Sequence, residues 1–148
     1  MRPSAKRGDP SACAEAWGAR ARPKRPALLD FSAAERVARG ALAAMGSEFI
    51  DRVPASIEVA RAMAANGQRA KAIADLRRIL GELEANGSYR LFAFQAALAL
   101  GEAELAAGMP AGKARLHRLE EEAKSRECFR IARLAREALD RDRPKRRE

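Results

Sequence analysis

The chain has 148 residues, about one domain's worth, and its 35 Ala against 3 Val, 5 Ile and no Thr favour helices and argue against sheets. The formal charge of +9 would suggest nucleic acid, yet residues 1–26 carry +5 and residues 141–148 carry +3, leaving +1 for everything between. A basic reading face on a folded body needs clustered cations, whereas here they alternate with acids, as on a solvated helical surface.

Residues 1–27 hold four of the seven prolines and show no apolar periodicity, so they are expected to be a disordered basic tail. No hydrophobic stretch follows their charges, which argues against a secretory signal, and Trp17 is their one large hydrophobe. Order is expected from residue 28. Ser32 and Glu35 have the spacing of a capping box, and Phe31, Val37, Ala38, Ala41 and Met45 can line one face of a first helix. Gly46-Ser47 would fray or end it. Pro54 suits a first helical turn, and the helix that follows stops at Asn66-Gly67.

A third helix then carries Ile73, Leu76, Leu80 and Leu83 as a single stripe, with Arg77, Arg78, Glu82 and Glu84 away from it, and Asn86-Gly87 stops it. The fourth, residues 89–107, has two stripes. Leu91, Phe94, Leu98, Gly101 and Leu105 form one, and Phe92, Ala96, Ala99, Leu100 and Ala103 form the other, a pattern that predicts burial on two sides. A fifth helix from Pro110 to about Ser125 is one-sided through Leu116, Leu119 and Ala123. A sixth over 128–141 uses Phe129, Ile131, Leu134, Ala135, Ala138 and Leu139 before a second basic tail, 142–148. One-sided helices around a doubly buried one are how stacked helical hairpins look in sequence.

An offset of 41 places Ile57 on Leu98, Val59 on Leu100, Ala60 on Gly101, Ala64 on Leu105 and Gly67 on Gly108; an offset of 43 places Ile73 on Leu116 and Leu76 on Leu119. The difference implies two extra residues in the second hairpin tip. Leu100-Gly101 followed by Gly108, and Gly67 with Ala72 and Leu76 in the first unit, resemble tetratricopeptide-type helical repeats. The stretch 98–135 is also similar to the last repeat of long bacterial signalling proteins, where such repeats follow a Ser/Thr kinase or winged-helix domain. The resemblance covers about 54–140. The units exceed the usual ~34 residues, and Glu127 and Arg130 stand where the terminal pattern favours glycines. No kinase or winged-helix sequence precedes the repeats, so neither activity is carried over. The resemblance implies a concave groove lined by inner helices, which places Arg61, Gln95 and Glu102 on the binding side and Arg90 at its rim. Arg61 and Glu102 match one repeat apart and can equally pair with each other.

Catalytic chemistry finds no support. Gly108 and Gly112 enclose three residues, Lys113 precedes Ala114, and a helix comes before them, so this stretch fails as a phosphate loop on every count and reads as a hairpin tip. His117 is the single histidine, on a polar helix, and reads as solvated. Glu120-Glu121-Glu122 point in different directions and read as a solvated face. Cys13 and Cys128 are too far apart in sequence for a disulfide framework or a metal pair. They fit a reducing cytoplasm, and Cys128 reads as a partly buried packing residue. No apolar run approaches the ~20 residues of a membrane span.

The expectation is therefore an all-α chain: a short α-solenoid of tetratricopeptide type over 28–141 that binds protein or peptide, without enzyme activity, cofactor or metal. The same reading admits a fragment or regulatory part of a larger signalling protein. Since such stacks need about three repeats, self-association or a fragment origin would make up the shortage, with the 33–46 helix packed on 54–66 and the last helix capping the other end. The alternative is a nucleic-acid-associated protein acting through Arg22-Pro-Lys-Arg25 and Arg143-Pro-Lys-Arg146, weakly and with steep salt dependence.

Overall fold

A computed structural model describes residues 31–46 and 48–142, so the first basic tail with Trp17, the expected start of order at residue 28, and the second tail beyond Asp142 lie outside the described residues. Six α-helices follow one another: α1 (Phe31–Ala44), α2 (Phe49–Ala65), α3 (Arg69–Asn86), α4 (Arg90–Ala106), α5 (Pro110–Ser125) and α6 (Phe129–Asp142). No strand occurs among the described residues. The expected all-helical class is what the structure shows. Each helix packs on the next, and α4 also touches α2 and α6.

Two apolar clusters meet at α4. Ala96, Ala99, Leu100 and Ala103 join the buried residues of α2 and α3, while Phe94 and Leu98 join those of α5 and α6. This is the two-sided burial that the double stripe predicts. Leu91 is the exception, at 54% exposure. Burying a Leu, Ile or Met side chain contributes about 1.5–3 kcal/mol, so this middle helix ties both clusters into one cooperative body.

Burial recurs along the chain. The buried residues of α2 (Val53, Ile57, Val59, Ala60, Ala62 and Met63) each fall 41 before a buried residue of α4. In α3, Ala72, Leu76, Ile79, Leu80 and Leu83 each fall 40 before a buried residue of α5; Ile73 does not, because Lys113 is exposed. The offset of 43 is therefore corrected to 40. Both intervening turns contain three residues, 66–68 and 107–109, so the second tip is not longer. A slip of three residues is nearly one helical turn, and it keeps the same stripe facing the same way, which is why a stripe alone misplaces the register. The one-residue change falls in the first turn of the outer helix, where the Ala72 N–H donates to Gln68 O four residues back and the Gly112 N–H to Met109 O three residues back.

The turns after α2, α4 and α5 share one hydrogen-bond pattern. The Gln68 N–H donates to Met63 O and Gly67 to Ala64 O; Met109 donates to Glu104 O and Gly108 to Leu105 O; Cys128 donates to Ala123 O and Glu127 to Lys124 O. These paired bonds close a helix C-terminus around a left-handed residue. Gly67 (φ 88) and Gly108 (φ 72) take that conformation freely, but the third turn forces it on Glu127 (φ 60). Left-handed backbone costs an L-residue roughly 1–2 kcal/mol, and glycine's extra freedom in the unfolded chain takes back part of the gain. Glu127→Gly is expected to stabilise the chain by about 0.5–1 kcal/mol, and Gly108→Ala to destabilise it by about 1 kcal/mol, both read from urea midpoints.

Three other expectations change. In α1, Ser32 lies within the helix, not before it as a cap, and the Glu35 carboxylate accepts from Arg39 (2.8 Å) and from Asn66 Nδ2 (2.8 Å). The face of α1 turned inward carries Glu35, Ala38 and Leu42, leaving Val37 73% exposed. The helix α2 starts at Phe49 and runs through Pro54, which therefore sits beyond the first turn and forgoes a bond to the Ile50 carbonyl. The predicted contacts of α1 with α2, and of α6 with the helices before it, are present.

Candidate functional site

The helices α2 and α6 each pack on α4 without touching each other, which leaves a channel along α4. Its floor is the third face of α4, residues 91, 95, 98, 102 and 105, spaced as one helical stripe. At the end nearest the start of α4, a cleft of about 660 Å³ is lined by Ile57, Leu91, Leu98, Phe129 and Ile131, with Gln95 among them. Leu91 and Phe129 (67% exposed) are two of the five large apolar side chains left open to water among the described residues. At the other end a recess of about 670 Å³ is lined by Phe31, Ala64, Ala99, Leu105 and Ala138.

A charged strap crosses between the two recesses. Glu102 stands 3.9 Å from Arg61 of α2 and 3.3 Å from Arg141 of α6, and Arg61 also meets Glu58 at 3.0 Å. These side chains are between a third and seven-tenths exposed, so each contact contributes only about 0–1 kcal/mol. The Nε of Arg61 is buried and finds no acceptor within the protein. An unsatisfied buried donor costs free energy, and an acceptor brought by a ligand would relieve that cost.

Arg61 and Gln95 line the first recess, and Arg61 and Glu102 the second. Arg90 lines neither. It lies on the other side of α4, in a smaller cleft with Arg115, Arg118, Glu84 and Glu122 between α3 and α5. The Arg61–Glu102 pair anticipated from the repeat does form, at the outer limit of an ion-pair distance, and Arg141 holds Glu102 more closely. His117 is exposed and Cys128 is partly buried against the second cluster.

One carboxylate went unrecognised, and another was read as solvated but is buried. Glu104 is fully buried and bridges three helices, accepting from Arg77 of α3 (2.8 Å) and from Arg115 of α5 (3.0 Å). Burial pushes its carboxyl up, but the hydrogen bonds from Arg115 and Arg77 outweigh that and hold it below the usual glutamate range. A signal for it did exist: 41 residues earlier the same position is Met63, buried and apolar. An acid at a core position implies an ion partner. Glu120 is likewise buried rather than solvated. It accepts a hydrogen bond from Lys124 that holds its carboxyl below the usual range, and it lies 3.7 Å from Arg136 of α6.

Set against family models, curated proteins and solved structures, the chain matches none. Among the described residues no three His, Cys, Asp or Glu gather as a metal site, and no helix is long and apolar enough to cross a membrane.

Proposed function

We propose that the chain is a short α-solenoid of tetratricopeptide type that binds protein or peptide along the α4 channel and catalyses nothing. The channel carries this reading: an apolar cleft opens beside a buried arginine donor, on a floor formed by the helix that both neighbours flank. The spacing of buried residues by 40 and 41, and the turn geometry repeated after α2 and α4, support a repeat. With α1 in the place of an outer helix before α2, and α6 covering the far end of α4 and α5, the two hairpins are bracketed on both sides. A single histidine, set outside any constellation, supports the non-catalytic part. The widely separated cysteines fit a reducing cytoplasm.

The test is selection of displayed random peptides against the full chain, followed by titration of the enriched sequences. Leu91→Glu puts a charge on the open lip of the cleft, and Gln95→Arg crowds it while leaving α4 helical. Enriched peptides are expected to lose at least about tenfold in affinity, or ~1.4 kcal/mol, to Gln95→Arg at unchanged helicity. Peptides that bind wild type and both variants alike would remove the channel from the account.

A further inference from the structure

We propose that the exposed stripe of α1 is a self-association surface that pairs with the same stripe of a second copy around a two-fold axis. This interface lies outside the α4 channel and does not depend on what that channel binds. The helix α1 has no buried residue and, among the described helices, packs on α2 alone. Fourteen residues of helix are marginal in water without tertiary cover, and here that cover comes chiefly from Ala38 and Leu42. Beside that face runs a second apolar row, Ala34, Val37, Ala41 and Met45, at helical spacing. Val37 is the most exposed large hydrophobe among the described residues, and Met45 is 42% exposed. The charged Arg36 and the ion-paired Glu35 and Arg39 lie off this row.

The opposite end of the packing order shows which occupant fits. On α6, apart from Phe129 on the channel, the outward positions include charges that are already paired, Arg133 with Glu137 at 3.6 Å and Arg136 with Asp140 at 3.4 Å. Head-to-tail growth would press an apolar row onto those ion pairs and strip their water for no return. Like-to-like contact matches apolar with apolar, and it closes at two copies because an isologous patch is used up by its own partner. The small side chains at 34, 40, 41 and 44 allow two such helices a close approach along about 21 Å of α1.

Sedimentation equilibrium of the full chain is the measurement. An interface of one helix pair falls below about 1,200 Å², so association is expected across about 10–500 µM, with the weight-average mass rising from one chain toward two. Val37→Glu should hold the mass at one chain over that whole range, with wild-type helicity by circular dichroism. A chain that is monomeric throughout overturns the proposal. So does association that survives Val37→Glu, or growth beyond two copies. A monomer that loses helix on Val37→Glu would show the row to be covered within its own chain, which also overturns it.

Discussion

Replacing Arg77 and Arg115 together by methionine is expected to cost about 3–5 kcal/mol, whereas Glu104→Met should change stability by no more than about 1 kcal/mol. The asymmetry follows from which group is left behind. Glu104 is fully buried and cannot reach water once its two guanidiniums are gone, while Arg77 (50% exposed) and Arg115 (23% exposed) can turn outward when the acid is removed. Methionine is also the residue that the first unit already carries at the matching place, Met63, buried to 1% exposure. The acid limb of stability gives a second readout. The folded carboxyl of Glu104 is held below its ordinary value, so between that value and about pH 4.3 the unfolded chain binds more protons. Its contribution is complete above that window and fades as pH falls through the folded value. Glu104→Met should therefore flatten the loss of stability between pH 5 and pH 3, measured by urea titration at each pH. If the double arginine variant proved as stable as Glu104→Met, the buried carboxylate would not need its partners.

The same residue shows where sequence reading reached its limit. The double stripe on α4 was legible because apolar side chains at two arcs of one helix have only one economical use, and the structure puts Leu100 in one cluster and Leu98 in the other. What each arc meets was not legible. Glu104 gains its partners from 27 positions before and 11 after, distances over which periodicity carries no information. The face of α1 was misassigned for a related reason. Its apolar arc is wider than α2 can cover, and the choice between Val37 and Leu42 is made by the turn that supplies Asn66 to Glu35. Of the residues that the resemblance implied, Arg61 and Gln95 line one recess of the channel, and Arg61 and Glu102 the other. Arg90, only one position from Leu91, went to the opposite side because each residue turns a helix by about 100°.

Three glycine-to-alanine changes should differ in sign, and the differences rest on what each new methyl meets. At Gly81, on the exposed face of α3, nothing lies within 4 Å, so Gly81→Ala should stabilise by about 0.5–1 kcal/mol through helix propensity alone. At Gly101 the methyl would stand 2.7 Å from Leu116 Cδ2 and 2.8 Å from its Cγ. A leucine side chain can move, so the propensity gain and the repacking cost should nearly cancel, within about 1 kcal/mol. At Gly112 the neighbours are Leu105 N at 2.5 Å, Gly101 O at 2.8 Å and the Glu104 carbonyl carbon at 2.9 Å, all backbone. No rotamer relieves that contact; α4 and α5 must move apart, which places Gly112→Ala near the upper end of over-packing costs, about 2–3 kcal/mol net. The position 40 residues earlier is Ala72, fully buried, so the α2–α3 pair already accommodates the methyl that the α4–α5 pair cannot. Separation of α4 from α5 also pulls Arg115 from Glu104, so Gly112→Ala combined with Glu104→Met should cost less than the sum of the two singles. Thermal unfolding of the three glycine variants, Glu104→Met and the double variant decides it. Equal midpoints for Gly101→Ala and Gly112→Ala would mean that the two helices are not held backbone to backbone.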